Sequence, residues 1–131
     1  MEGLEDHGEE RGAWLSQAMM TVRVAEEMLL GDLYRDTVAN SFLAMLYAAR
    51  EVVAPQAGAA VDWEEVIRLF QELAPRMGLS PENRRALPIV AELYRRVVER
   101  EEEEADPLTA SACLDDARAF VREIGERTGL A

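Results

Sequence analysis

The sequence predicts an all-α protein, an up-and-down antiparallel bundle of four to five helices. Three observations predict it. Apolar residues recur at three- and four-residue spacing in each long segment between turn residues. No run alternates apolar and polar residues between turn signals, and no Asn-Gly or Asp-Gly pair offers a hairpin. The 8 glycines and 5 prolines are sparse, and the intervals between them fit helices joined by short loops. At 131 residues one domain, spanning 1–131, is expected, long enough to bury a core without staples. The single cysteine, Cys113, excludes an internal disulfide and a cysteine-based zinc site.

Residues 1–9 are acidic, lack a signal-peptide-like apolar core and are expected to be disordered. The first helix is expected from about Glu10 to Leu30, with Trp14, Leu15, Ala18, Met19, Val22, Ala25, Met28 and Leu29 forming its apolar stripe. Gly31 ends it, and Asp32 is placed to cap the next helix. That second helix is expected to end near Val53, because Ala54-Pro55 disfavours continuation. It carries an uncharged run from Val38 to Ala49 and is apolar nearly all round, so it reads as the central helix. Val38, Phe42, Met45, Leu46 and Ala49 are expected to serve as core or dimer contacts, with more apolar surface than one small bundle covers. Ala39, Ser41, Ala44 and Ala48 would let neighbouring backbones approach closely.

After a short loop, Asp62 offers a cap with Glu65 at the capping-box position, and Trp63, Val66, Ile67, Phe70, Leu73 and Ala74 line one face. Pro75 and Gly78 close this third helix. Ser80 and Pro81 start a fourth, expected to reach about Glu104, with Pro88 as a kink or as the true start of a longer segment. Asp106-Pro107 is read as a break, and the last helix is expected to begin near Thr109 or Ser111. It carries Leu114, Ala117, Phe120, Val121 and Ile124 inward.

Charge bounds the function. With 26 acidic residues and 14 basic ones, all of them arginine, the net charge is −12. A field this negative opposes nonspecific binding to phosphate backbones. Arg84, Arg85, Arg95, Arg96 and Arg100 are close in sequence, yet the surrounding glutamates favour solvated ion pairs over a basic patch. No apolar run approaches the roughly 20 residues that span a bilayer. A cytoplasmic protein without membrane association is expected.

The stretch "GDLYRDTVANSFLAMLYAAREVV" resembles the second helix of the HEPN domains (higher eukaryotes and prokaryotes nucleotide-binding). Gly31, Asp32, Arg35, Asp36, Val38, Ala44, Met45, Ala48, Ala49 and Arg50 fall on matching positions. Phe42 and Leu43 replace the usual tyrosine pair, and Tyr47 stands where many members carry His. The likeness continues in the long first helix, in "REEEEADP" against an Arg-x-x-Ala-Asp-Tyr element, and in "ARAFV" of the last helix, covering about Gly12 to Leu130. It implies a helical bundle, usually homodimeric. Members are often paired with a minimal nucleotidyltransferase in toxin–antitoxin systems. Many are metal-independent RNases using an Arg and a His four to six residues apart.

Such an RNase needs an acid–base group near neutrality beside a cation that stabilises phosphorane charge. Histidine is the usual choice because its ordinary pKa is about 6.5. Here the single histidine, His7, precedes every arginine, so no such pair exists in this sequence. The family position falls on Arg100, followed by Ala105, Asp106 and Pro107. No Gly-rich phosphate loop, His/Cys ligand cluster or nucleophile motif is present, and no metal or cofactor is expected. The leading expectation is a catalytically inactive HEPN-like homodimer that pairs with a nucleotidyltransferase-type partner. The alternatives are an RNase toxin working through Arg100 and Asp106, or a nucleotide-binding module whose phosphate is held by Arg95, Arg96 and Arg100.

Overall fold

The computed structural model describes residues 11–57 and 62–130. Among these the chain forms α1 (Ala13–Leu30), α2 (Tyr34–Ala57), α3 (Trp63–Leu73), α4 (Pro81–Tyr94) and α5 (Pro107–Thr128), with no strand. A 3₁₀ turn, Ala74–Met77, follows α3, and a π turn, Arg95–Glu99, follows α4. His7, the rest of the expected disordered tail and positions 58–61 of the expected loop lie outside the described residues.

Helix α2 is central and packs on α1, α3, α4 and α5. Here the structure corrects the sequence argument for an oversupply of apolar surface. Val38, Phe42, Met45, Leu46 and Ala49 are all buried by this chain's own helices, so α2 leaves no large apolar face for a second copy. The reason is the small-residue pattern. Ser41, Ala44 and Ala48 are fully buried, so neighbouring helices close over α2. From α3 and α5, Phe70 and Phe120 meet at 5.3 Å between ring centroids.

Helix α1 also departs from expectation. Its inward face is Leu15, Ala18, Thr21 and Ala25, whereas Met19 is exposed at 44%. It starts at Ala13, where the Glu51 carboxylate of α2 accepts the Gly12 and Leu15 amides at 3.1 and 3.0 Å. A remote carboxylate thus replaces a local cap at the positive end of the helix.

The terminators show where local grammar held. Asp62 accepts the Glu65 amide at 2.9 Å, and Ser80 accepts the Asn83 amide at 3.2 Å. Asp32 does not cap α2. It adopts φ 60°, while its own amide donates to Leu29 O and the Leu33 amide to Met28 O. That is the Schellman closure of α1, with Asp where Gly is usual. Helix α2 runs through Pro55 to Ala57, because a proline in the last turn forfeits one backbone bond only. Helix α4 likewise runs through Pro88. The Arg84 carbonyl, which a residue 88 amide would otherwise serve, accepts instead from Gln71 Nε2 at 3.2 Å.

The end of α4 and the start of α5 were both misplaced by sequence. Helical structure stops at Glu99, not Glu104. The Arg100 amide donates to Arg95 O and the Glu102 amide to Arg96 O, with Glu101 at φ 53°. Asp106-Pro107 opens α5 in the same way that Ser80-Pro81 opens α4: Asp106 Oδ1 accepts the Thr109 amide at 2.7 Å.

Candidate functional site

The π turn and the segment after it face the start of α2 across an open cleft of about 420 Å³. Tyr34 and Arg35 form one wall, Val97 and Ala105 line it, and Glu101, Glu103 and Glu104 supply carboxylates. Helix α2 positions Arg35 so that its guanidinium donates to the Val98 carbonyl at 3.1 Å and pairs with Glu101 at 3.0 Å. One cation therefore holds a carbonyl near the end of the π turn and a carboxylate beyond it. Cations suit that location, since unsatisfied carbonyls at a helix end carry partial negative charge. Among the described residues two that are not glycine have positive φ: Glu101, which lines the cleft, and Asp32, two positions before Tyr34.

The arginines singled out by sequence have a different disposition. Arg95 lies over the Trp63 ring at 4.8 Å from its centroid and pairs with Glu92 at 3.2 Å and Glu64 at 4.0 Å. It ties α3 to the end of α4, beside the aromatic group of Phe42, Trp63 and Tyr94. Arg96 pairs with Glu103 at 3.0 Å and Glu92 at 3.8 Å, fastening the segment after the π turn back onto α4. Arg100 pairs with Glu102 at 3.6 Å. The structure gathers no basic patch from Arg95, Arg96 and Arg100: each points at a carboxylate of its own neighbourhood. Sequence reasoning did not select Tyr34 and Arg35 as site residues. The signal was present in "YRD", read there only as a match of pattern.

Two groups of this region are held by hydrogen bonds away from their ordinary values, Asp106 downward and Tyr34 upward. Hydrogen bonds from Thr109, backbone first, hold the Asp106 carboxyl below the usual carboxylate range, so it is an ionised cap. Tyr34 donates its hydroxyl to Asp32 Oδ1 at 3.0 Å, and that bond pushes the phenol above its ordinary value. Elsewhere, burial first and the charge of Asp116 second push the Cys113 thiol up to about 12, leaving it an unreactive core group. Among the described residues no three His, Cys, Asp or Glu side chains are grouped to hold a metal ion, and no helix is long and apolar enough to cross a membrane.

Comparison with known families agrees with this architecture: the family model described as HEPN domain matches residues 12–127. This chain belongs to the HEPN family. The match takes in all five helices almost completely, the cleft included. A comparison with curated proteins finds no match. Membership points to nucleotide-binding or RNase-type function at the coarsest level. Residues 100–106 form the turn between the π segment and α5. There the chain offers Ala105 on the cleft wall, Asp106 as a helix cap and Pro107 as the first residue of α5.

Proposed function

We propose that this chain is a non-catalytic HEPN protein of one domain that acts in the cytoplasm by association, as a homodimer that pairs with a minimal nucleotidyltransferase in a toxin–antitoxin-type system. The observation that carries the reading is the chemistry left at the family's RNase position. Arg100 has a glutamate for its partner, and the residue best placed to replace the histidine, Asp106, is held ionised at the start of α5. An ionised carboxylate accepts a proton but is a poor donor, and general acid–base catalysis contributes about 10²- to 10⁴-fold. The cleft's three glutamates against one arginine and the net charge of −12 further repel an RNA backbone.

The same ion pairs count against the nucleotide-binding alternative at Arg95, Arg96 and Arg100, since a phosphate would have to displace carboxylates already seated there. The test is incubation of purified protein with single-stranded RNA. No cleavage above the buffer control is expected. Cleavage that disappears in both Arg100→Ala and Asp106→Asn would replace this reading with an RNase using those residues. The partner claim is checked by co-purification with a minimal nucleotidyltransferase from the same gene neighbourhood.

A further inference from the structure

The face that α2 was expected to present to a second copy is closed, but another is open. The helix α1 turns Leu15, Ala18, Thr21 and Ala25 inward and leaves Met20 at 59% and Leu30 at 86% exposure, with Val24 also exposed. At about 100° per residue, Met20, Arg23, Val24, Glu27 and Leu30 share one outward stripe. Two charges stand in the middle of it. Glu26, one position away, is taken up by Arg118 at 2.8 Å, whereas the side chains of Arg23 and Glu27 have no ion pair or hydrogen bond among the described residues.

We propose that two copies of this chain associate through this stripe, α1 crossing antiparallel on the partner's α1 about a two-fold axis near Ala25. The proposal deepens the association reading above and rests on it. The order of residues along the stripe is what selects the partner. Arg23 and Glu27 lie two positions either side of Ala25, and Met20 and Leu30 five positions either side. Under a two-fold axis there, Arg23 meets the partner's Glu27 and Met20 meets the partner's Leu30, each contact formed twice, as an isologous interface requires. A parallel crossing would put arginine on arginine and glutamate on glutamate. A purely apolar partner would bury both charges unpaired, and the negative field of the chain disfavours an anionic membrane surface. Beside the stripe, a groove of about 350 Å³ between α1 and α5, floored by Met19 and Val22 among others, extends the contact toward the roughly 800 Å² per partner that a stable interface buries.

The experiment is light scattering on charge-reversal variants at one micromolar concentration. Wild type is expected near twice the 14.7 kDa chain mass. R23E and E27R each place like charges in opposition at both crossings, so each should weaken the dimer at least about 10-fold and shift toward the monomer mass. Mixing the two single variants should restore the dimer mass, as should the double exchange R23E/E27R, because opposite charges face each other again. Both side chains lie on the outer surface of α1, and circular dichroism checks that each variant keeps its helices. If the single variants remain dimeric beside a dimeric wild type, this face is not the interface, while association itself stands. A monomeric wild type overturns both. Restoration that fails in the mixture and in the double exchange also overturns the antiparallel register.

Discussion

Glu123 offers the sharpest test of how α5 and α4 are joined. Its Oε1 accepts the Ser80 amide at 3.0 Å and Asn83 Nδ2 at 2.7 Å, and its side chain is 17% exposed. A negative charge thus sits at the N-terminus of α4, supplied by another helix. Replacing it with Gln keeps an acceptor oxygen and removes the charge. Hydrogen bonds to a charged group contribute about 1.5–3 kcal/mol against about 0.5–1.5 for neutral ones, so each bond weakens by about 1 kcal/mol. Loss of the helix-end interaction adds about 0.3–1 kcal/mol. With a discount for residual solvent, Glu123→Gln should destabilise by about 1.5–2 kcal/mol at pH 7.

The pH dependence follows from the same contacts. Burial alone would raise the Glu123 carboxyl, but the bonds from Asn83 and Ser80 and the nearby Arg127 outweigh it and hold the group below its ordinary range. A carboxyl lowered in the folded state contributes stability that is complete above its unfolded pKa of about 4.3 and is lost as pH falls through the lower folded value. The gap between wild type and Glu123→Gln should therefore be full at neutral pH and close in acid. Urea unfolding followed by tryptophan fluorescence measures it, at one fixed chain concentration because any self-association would make apparent stability concentration-dependent. A gap of zero at pH 7, or one that stays constant down to pH 3, would refute the linkage.

Three further outcomes are expected. Phe42→Ala should cost about 3–5 kcal/mol in the same unfolding assay, since the ring is 2% exposed and packs on Trp63 and Tyr94; Met45→Ala, also buried, should cost about 2–5 kcal/mol. Glu101→Ala should cost about 0.5 kcal/mol or less, whereas Glu101→Gly should exceed that alanine variant by about 1 kcal/mol because φ is 53° there; equal stabilities would show that the positive φ is not maintained in solution. Gln71→Ala should cost about 0.5–1 kcal/mol by stripping the Arg84 carbonyl of its donor, and that cost should shrink in a Pro88→Ala background, where a backbone amide returns.

The helices, their order and most of their inward faces were legible in the sequence because they follow from local rules. Apolar spacing names the buried side of α3 and α5, and Asp62 and Ser80 cap their helices through bonds to amides three residues on. The HEPN resemblance was legible for the same reason, being mostly a matter of where glycines, caps and small residues recur along helices.

What the sequence could not decide was everything set by a partner distant in the chain. Gln71 serves the carbonyl that Pro88 leaves without its helix amide, and α1 begins where Glu51 caps it. The glutamate run after Arg100 continued no helix, since Arg35 takes hold of Val98 and Glu101 from the far side of the cleft. Helix α2, apolar nearly all round, demanded cover, and only the packing of four other helices showed that the chain supplies that cover itself. An apolar residue has the same transfer free energy whichever surface buries it; a one-dimensional pattern therefore fixes how much must be buried and leaves to the tertiary structure what buries it.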